Sequence, residues 1–132
     1  MIADIAREAI LALNIVPDED VDIGGNLSTD WNGAPKILIT TDPTKPEDVT
    51  QGGAVSSGTP LAINCVAEKR QEAWDIVRVA ARAVYEHFET LENQPQSGIL
   101  CITLSEYNVF QIPNQSPFQA TVGFHVLHTF TL

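Results

Sequence analysis

Residues 120–132 read ATVGFHVLHTFTL. Val122, Phe124, Val126, Phe130 and Leu132 occupy the even positions, while Thr121, Gly123, His125, Thr129 and Thr131 occupy the odd ones. A period of two is the pattern of a β-strand with one apolar face, and this run is the clearest local signal in the chain. His128 interrupts the apolar series and Leu127 the polar one, so both faces are expected to be partly covered.

The rest of the fold is read outward from this strand. Residues 98–104 form another short apolar run, joined to the last strand by a loop through Pro113, Asn114 and Pro117. Before it, the period changes. Ala73, Val77, Ala80, Val84, Phe88 and Leu91 share one face of a helix at about 69–92, opposite Asp75, Arg78, Arg82, Glu86 and Glu89. Asn93 and Pro95 stop it. Leu61, Ile63, Cys65 and Ala67 alternate with Ala62, Asn64, Val66 and Glu68 as a strand, and Lys36 to Thr41 is a short buried one. At the start, Ile2, Ile5, Ala6, Ala9, Ile10 and Leu13 place an amphipathic helix over 2–14, which Pro17 keeps from extending.

The stretches 15–35, 42–59 and 105–118 lack a sustained period and read as long loops. The order is therefore α-β-β-α-β-β. It predicts a single α+β domain over 1–132, with a mixed four-stranded sheet and two helices packed on one face. The strand–helix–strand step crosses over right-handed if its two strands are parallel.

A chain of 132 residues buries roughly two-thirds of its unfolded surface on folding, enough for a core without staples. Charged residues make up 18% against a usual share of about 25%. That fits either surface hidden in an assembly or a neutral-polar surface. The net charge of -10 is uneven: residues 1–50 hold ten acids and three bases, residues 51–132 seven acids and four bases. Gripping a phosphate backbone takes clustered Lys and Arg, and four of the seven basic residues lie on or beside one helix. Sequence-specific nucleic-acid binding and an anionic membrane surface are both disfavoured. The longest apolar run, Ala9 to Leu13, is far short of the roughly 20 residues of a membrane helix, and Asp4, Arg7 and Glu8 break any secretory pattern. Synthesis in the cytoplasm is the expectation.

No stretch carries a complete chemical motif. Asp18-Glu19-Asp20-Val21-Asp22 opens like a calcium loop, but Ile23 and Thr29 stand where that loop needs Gly and Glu. His125 and His128 lie three apart on a strand and point to opposite faces, and His87 sits toward the apolar face of its helix. Gly52 to Gly58 lacks the Lys-Ser/Thr of a P-loop, and neither Ser56 nor Ser57 sits in a G-x-S-x-G elbow. Cys65 and Cys101 read as buried thiols, with a disulfide between neighbouring strands as the second reading. No catalytic residue, metal or cofactor is expected, and an enzyme stands third among the functional classes. Trp74, Arg78 and Tyr85 share the flank of the long helix between its core and solvated stripes. These residue types serve interfaces, or they cover the helix–sheet seam.

The element order, the long loop between the first two strands, and the ending Val122-Gly123-Phe124-His125-Val126-Leu127-His128-Thr129-Phe130 together resemble the tail terminator proteins of long-tailed bacteriophages. Related neck and minor tail proteins share the look. The resemblance covers most of the chain and rests on pattern and size. It implies a virion protein of the tail or neck, assembled in the host cytoplasm. Copies form a ring, usually six-fold, that caps the tail tube and faces the head-completion or connector protein. DNA passes through it without specific binding, and no catalytic residue is involved. Sheet edges and the 42–59 loop would meet neighbours or the tail tube protein. On physical grounds Trp74, Arg78 and Tyr85 are the candidate subunit interface, and Asp42, Lys45, Glu47, Asp48 and Gln51 the candidate partner-contacting loop. Negative charge would let DNA slide through such a ring. The competing class is a small cytosolic acidic protein-binding domain, whose loop at 18–22 recruits a basic partner.

Overall fold

The computed structural model describes residues 1–24, 27, 31–42, 45–49 and 53–131, with the backbone alone at 45–49, 54 and 131. In chain order the elements are α1 (Ile2–Leu11), β1 (Val21–Ile23), β2 (Lys36–Thr41), β3 (Lys45–Val49), β4 (Ala54–Ala67), α2 (Arg70–Glu92), β5 (Ile99–Gln111) and β6 (Phe118–Thr131). Short 3-10 turns at Asp18–Asp20 and Pro95–Ser97 precede β1 and β5. Among the described residues there is one six-stranded sheet, ordered β1-β2-β4-β6-β5, with β3 also paired to β4. Among the described residues only β1 and β2 are parallel neighbours.

The expected four-stranded sheet in α-β-β-α-β-β order is thus wrong. Two strands were added, β1 and β3, and two were lengthened, β4 and β5. Each miss has a local cause. β1 has three residues, too few to show a period; it is held by its parallel pairing, by an ion pair from Lys36 to Asp22 at 2.8 Å, and by Arg7, whose Nε donates to the Val21 carbonyl at 2.9 Å. β3 carries Pro46 beside a bulge, where a missing N–H is tolerated. The first half of β4 includes Ser56, Ser57, Gly58 and Pro60, all turn formers, yet β6 partners every one of them. Pro60 falls where β3 has ended at Gly58 and β2 begins at Leu61, so no ladder N–H is missed on that side. β5 continues seven residues past the expected end at 104, through a bulge between Leu104 and Glu106.

α1 ends at Leu11, short of 14, because its last turn tightens: Leu13 N–H donates to Ile10 and Asn14 N–H to Leu11, and Asn14 turns left-handed at φ 53°. α2 buries Ala73, Val77, Ala80, Ala81, Val84 and Phe88. The small residues bring the helix close to the sheet, and Phe88 fills the space left near its C-terminal end.

Both helices close one core with the face of the sheet that carries Ile37, Ile39, Leu61, Ile63, Cys65, Val122, Phe124 and Val126. α1 lies toward β1 and β2, and α2 toward β4, β6 and β5. The other face holds a buried polar knot. Asn64 donates to the Leu38 carbonyl at 2.9 Å and accepts from Thr121 at 2.8 Å and Gln119 at 3.2 Å.

Two glycines set the geometry of β5. Gly98 turns the chain into it at φ +77°, and its carbonyl accepts from Thr129 N–H at 2.7 Å. Gly123 on β6 lies under the bulge, where a Cβ would meet Glu106 Cγ at 2.8 Å and Ser105 Oγ at 3.0 Å. At Gly98 a Cβ would approach the Thr129 carbonyl to 2.9 Å in a left-handed conformation. Gly98→Ala is expected to cost about 1–2 kcal/mol, read as a lower urea midpoint with an unchanged slope.

Candidate functional site

β5 is the outermost strand on its side of the sheet, thirteen residues long, and α2 does not cover it fully. Between them lies an open groove of about 560 Å³. The flank of α2 contributes Trp74, Arg78, Ala81, Arg82 and Tyr85; β5 contributes Ile102, Thr103, Leu104 and Tyr107; Val122 and Phe124 of β6 form the floor. Tyr107 and Leu104 are 66% and 57% exposed, unusually high for large apolar groups in the middle of a strand. The rings are ordered against each other. Trp74 meets Tyr107 with centroids 5.9 Å apart, and Tyr85 stacks on Phe124 at 6.2 Å. Past the Trp74–Tyr107 pair lies a smaller trough beside Arg70, Asn108 and Val109.

The groove is hydrocarbon and aromatic on its walls and cationic on its rim. Arg78 pairs with Asp75 at 3.6 Å and Arg82 with Glu86 at 2.9 Å, both along the exposed side of α2. Among the described residues the lining itself holds no carboxylate. Such a surface suits apolar side chains flanked by negative charge.

Trp74, Arg78 and Tyr85 are brought together here, on one wall of the groove. The second candidate set is placed elsewhere. Asp42 is exposed just after β2, with its N–H on the Pro60 carbonyl at 3.3 Å, and Lys45, Glu47 and Asp48 belong to strand β3 along β4, where a free loop was expected. Gln51 lies outside the described residues. β6 and β4 separate β5 from β3, so the two sets do not form one site. Leu104 and Tyr107 were missed. Their signal was the apolar run Tyr107, Val109 and Phe110 in a stretch free of Gly and Pro until Pro113.

The acidic segment is fastened to the fold. Asp22 pairs with Lys36, and the Arg7 guanidinium donates to the carbonyls of Asp18 and Val21, leaving the side chains of Asp18 and Glu19 exposed.

His128 is buried with its Nε2 2.8 Å from Thr59 Oγ1, while its Nδ1 and the buried Ser57 hydroxyl have no hydrogen-bond partner among the described residues. Burial first, then the positive N-terminus, holds the imidazole below its ordinary 6.5. Below that pH the unfolded chain binds a proton that the folded chain resists, so stability is full above it and declines as pH falls. Between about pH 7 and 5 the urea midpoint of the native chain is expected to fall further than that of His128→Gln.

Burial, reinforced by the charge of Glu72, pushes the Cys65 thiol up to about 12. Cys101 is half-buried, and β6 lies between the strands carrying the two cysteines, which are both free. A thiol reagent at neutral pH is expected to label Cys101 alone in the folded protein and both residues in urea, counted by mass.

Among solved structures, the chain is similar to a chain of the "Virion of native gene transfer agent (GTA) particle", with a TM-score of 0.51 and 8% sequence identity over 94% of each chain. At that identity the likeness is one of fold. No protein-family model matches the chain, and comparison with curated proteins finds no match.

Proposed function

We propose that this chain is a structural subunit of a phage-type virion, closing with copies of itself into a ring, six-fold in the simplest case. The ring caps the tail tube at the neck and meets the head-completion or connector protein. The observation that carries the reading is the fold likeness to a virion chain over 94% of both chains. Two features of the surface support self-assembly. β5 offers thirteen residues of edge backbone, interrupted by two bulges, with one charged side chain, Glu106, and no proline, and long edges with so little charge are usually covered. Beside it lies an aromatic groove rimmed by arginines, of the composition found at interface centres. The net charge of -10 suits a lumen through which DNA slides without sticking.

The test is the native mass across a concentration series, with electron microscopy of any large species, alone and with purified tail tubes. Closed rings, free or at tube ends, are expected. A monomer at every concentration that also ignores the tubes overturns the proposal. Leu104→Asp, placed at an exposed position, is expected to weaken ring formation at least about tenfold, or ~1.4 kcal/mol per contact, while leaving the urea midpoint of the monomer nearly unchanged.

A further inference from the structure

The two edges of the sheet present different side chains. β1 and the Asp18–Asp20 turn stand at one edge, β5 at the other. At the first edge Asp18 and Glu19 are exposed, and the large apolar side chains of Ile15 and Ile23, which bracket them, are 38% and 45% exposed. At the second edge lies the apolar groove, with Arg78 and Arg82 in its lining and Arg70 beside the smaller trough next to it. Exposed acidic and apolar side chains thus stand together along the segment at one edge of the sheet, and an apolar groove with two arginines in its lining opens beside the other.

We infer that the groove between α2 and β5 receives the acidic edge Ile15–Ile23 of a second copy, which makes the subunit contact head-to-tail. This rests on the ring reading above and names the partner surface within it. Ile15 and Ile23 cover Leu104 and Tyr107, and the carboxylates of Asp18 and Glu19 meet the guanidinium groups of Arg78 and Arg82. The lengths agree: Arg70 to Tyr85 spans about 22 Å of helix, and nine residues containing a turn span somewhat less than about 26 Å. The present partners of the two arginines, Asp75 and Glu86, are exposed neighbours on the same helix, and exposed pairs of this kind exchange at little cost. Since the two surfaces are different and lie on opposite edges, each added copy leaves one of each free. Growth continues until the rotation closes.

The experiment compares the native chain with Arg78→Glu/Arg82→Glu, with Asp18→Lys/Glu19→Lys, and with the chain carrying all four changes, by native mass at matched concentrations and by urea midpoint. Each pair of changes alone sets like charges against each other and is expected to weaken association at least about tenfold. The four-fold variant restores opposite charges and recovers the ring. An equimolar mixture of the two paired variants also recovers it, because each then presents a complement to the other, and this rescue shows that both variants fold. Rising salt weakens the native ring, since the rim pairs are screened. If the native chain forms rings and the paired variants form them equally well, or neither the mixture nor the four-fold variant recovers, the acid–arginine contact is wrong and the ring stands. A native chain that stays monomeric, alone and with tubes, removes both.

Discussion

The antiparallel pairing of β4 with β6, unbroken from Ala54 opposite Thr131 to Ala67 opposite Phe118, is the constraint on which the other elements depend. It sets Leu61 against Phe124 and Ile63 against Val122 on the face the helices cover, and Asn64 against Thr121 on the other. A slip of one residue would carry every apolar side chain to the wrong face. The Asn64 knot guards against that slip. Its amide is fitted between the Leu38 carbonyl and the Thr121 hydroxyl, and a shifted strand would leave those buried groups without partners. With the pair fixed, β2 and β5 add on either side, and α1 and α2 divide one face between them.

This dependence explains which parts of the fold were legible in the sequence. β6, α2 and most of α1 have one face in the core and one outside it, so their periods show. β2 was bounded by the loop composition on either side. The first half of β4 was not legible: Ser57, Gly58 and Pro60 disfavour a strand and outweigh the β-branched Thr59, and they are extended because β6 continues beside them. β5 beyond Leu104 is exposed except at Val109, which packs partly against the core, and a strand with so little buried on either face shows no clear alternation. β1 and β3 are short edges held by pairing.

The candidate site divides along the same line. Its helical wall could be read, since Trp74, Arg78 and Tyr85 fall between two stripes of a regular helix. Its strand wall was only half legible, because Leu104 ends the run that reads as a strand and Tyr107 lies on the part of β5 that looked like a loop. The pairing that places them is long-range, between residues over ten positions apart in the chain, and no local pattern encodes it. The same holds for His128, whose Thr59 partner is 69 positions away.

The bulge at Leu104 and Glu106 sits over Gly123, whose missing side chain gives Ser105 and Glu106 their room. Any larger residue there would meet the side chains of Ser105 and Glu106, which would have to move aside at the bulge that interrupts β5 between Leu104 and Tyr107. The room at the bulge is therefore set partly by a residue of the neighbouring strand. A change at position 123 would be felt first at positions 105 and 106 on the outer strand, while the core on the opposite face stays intact.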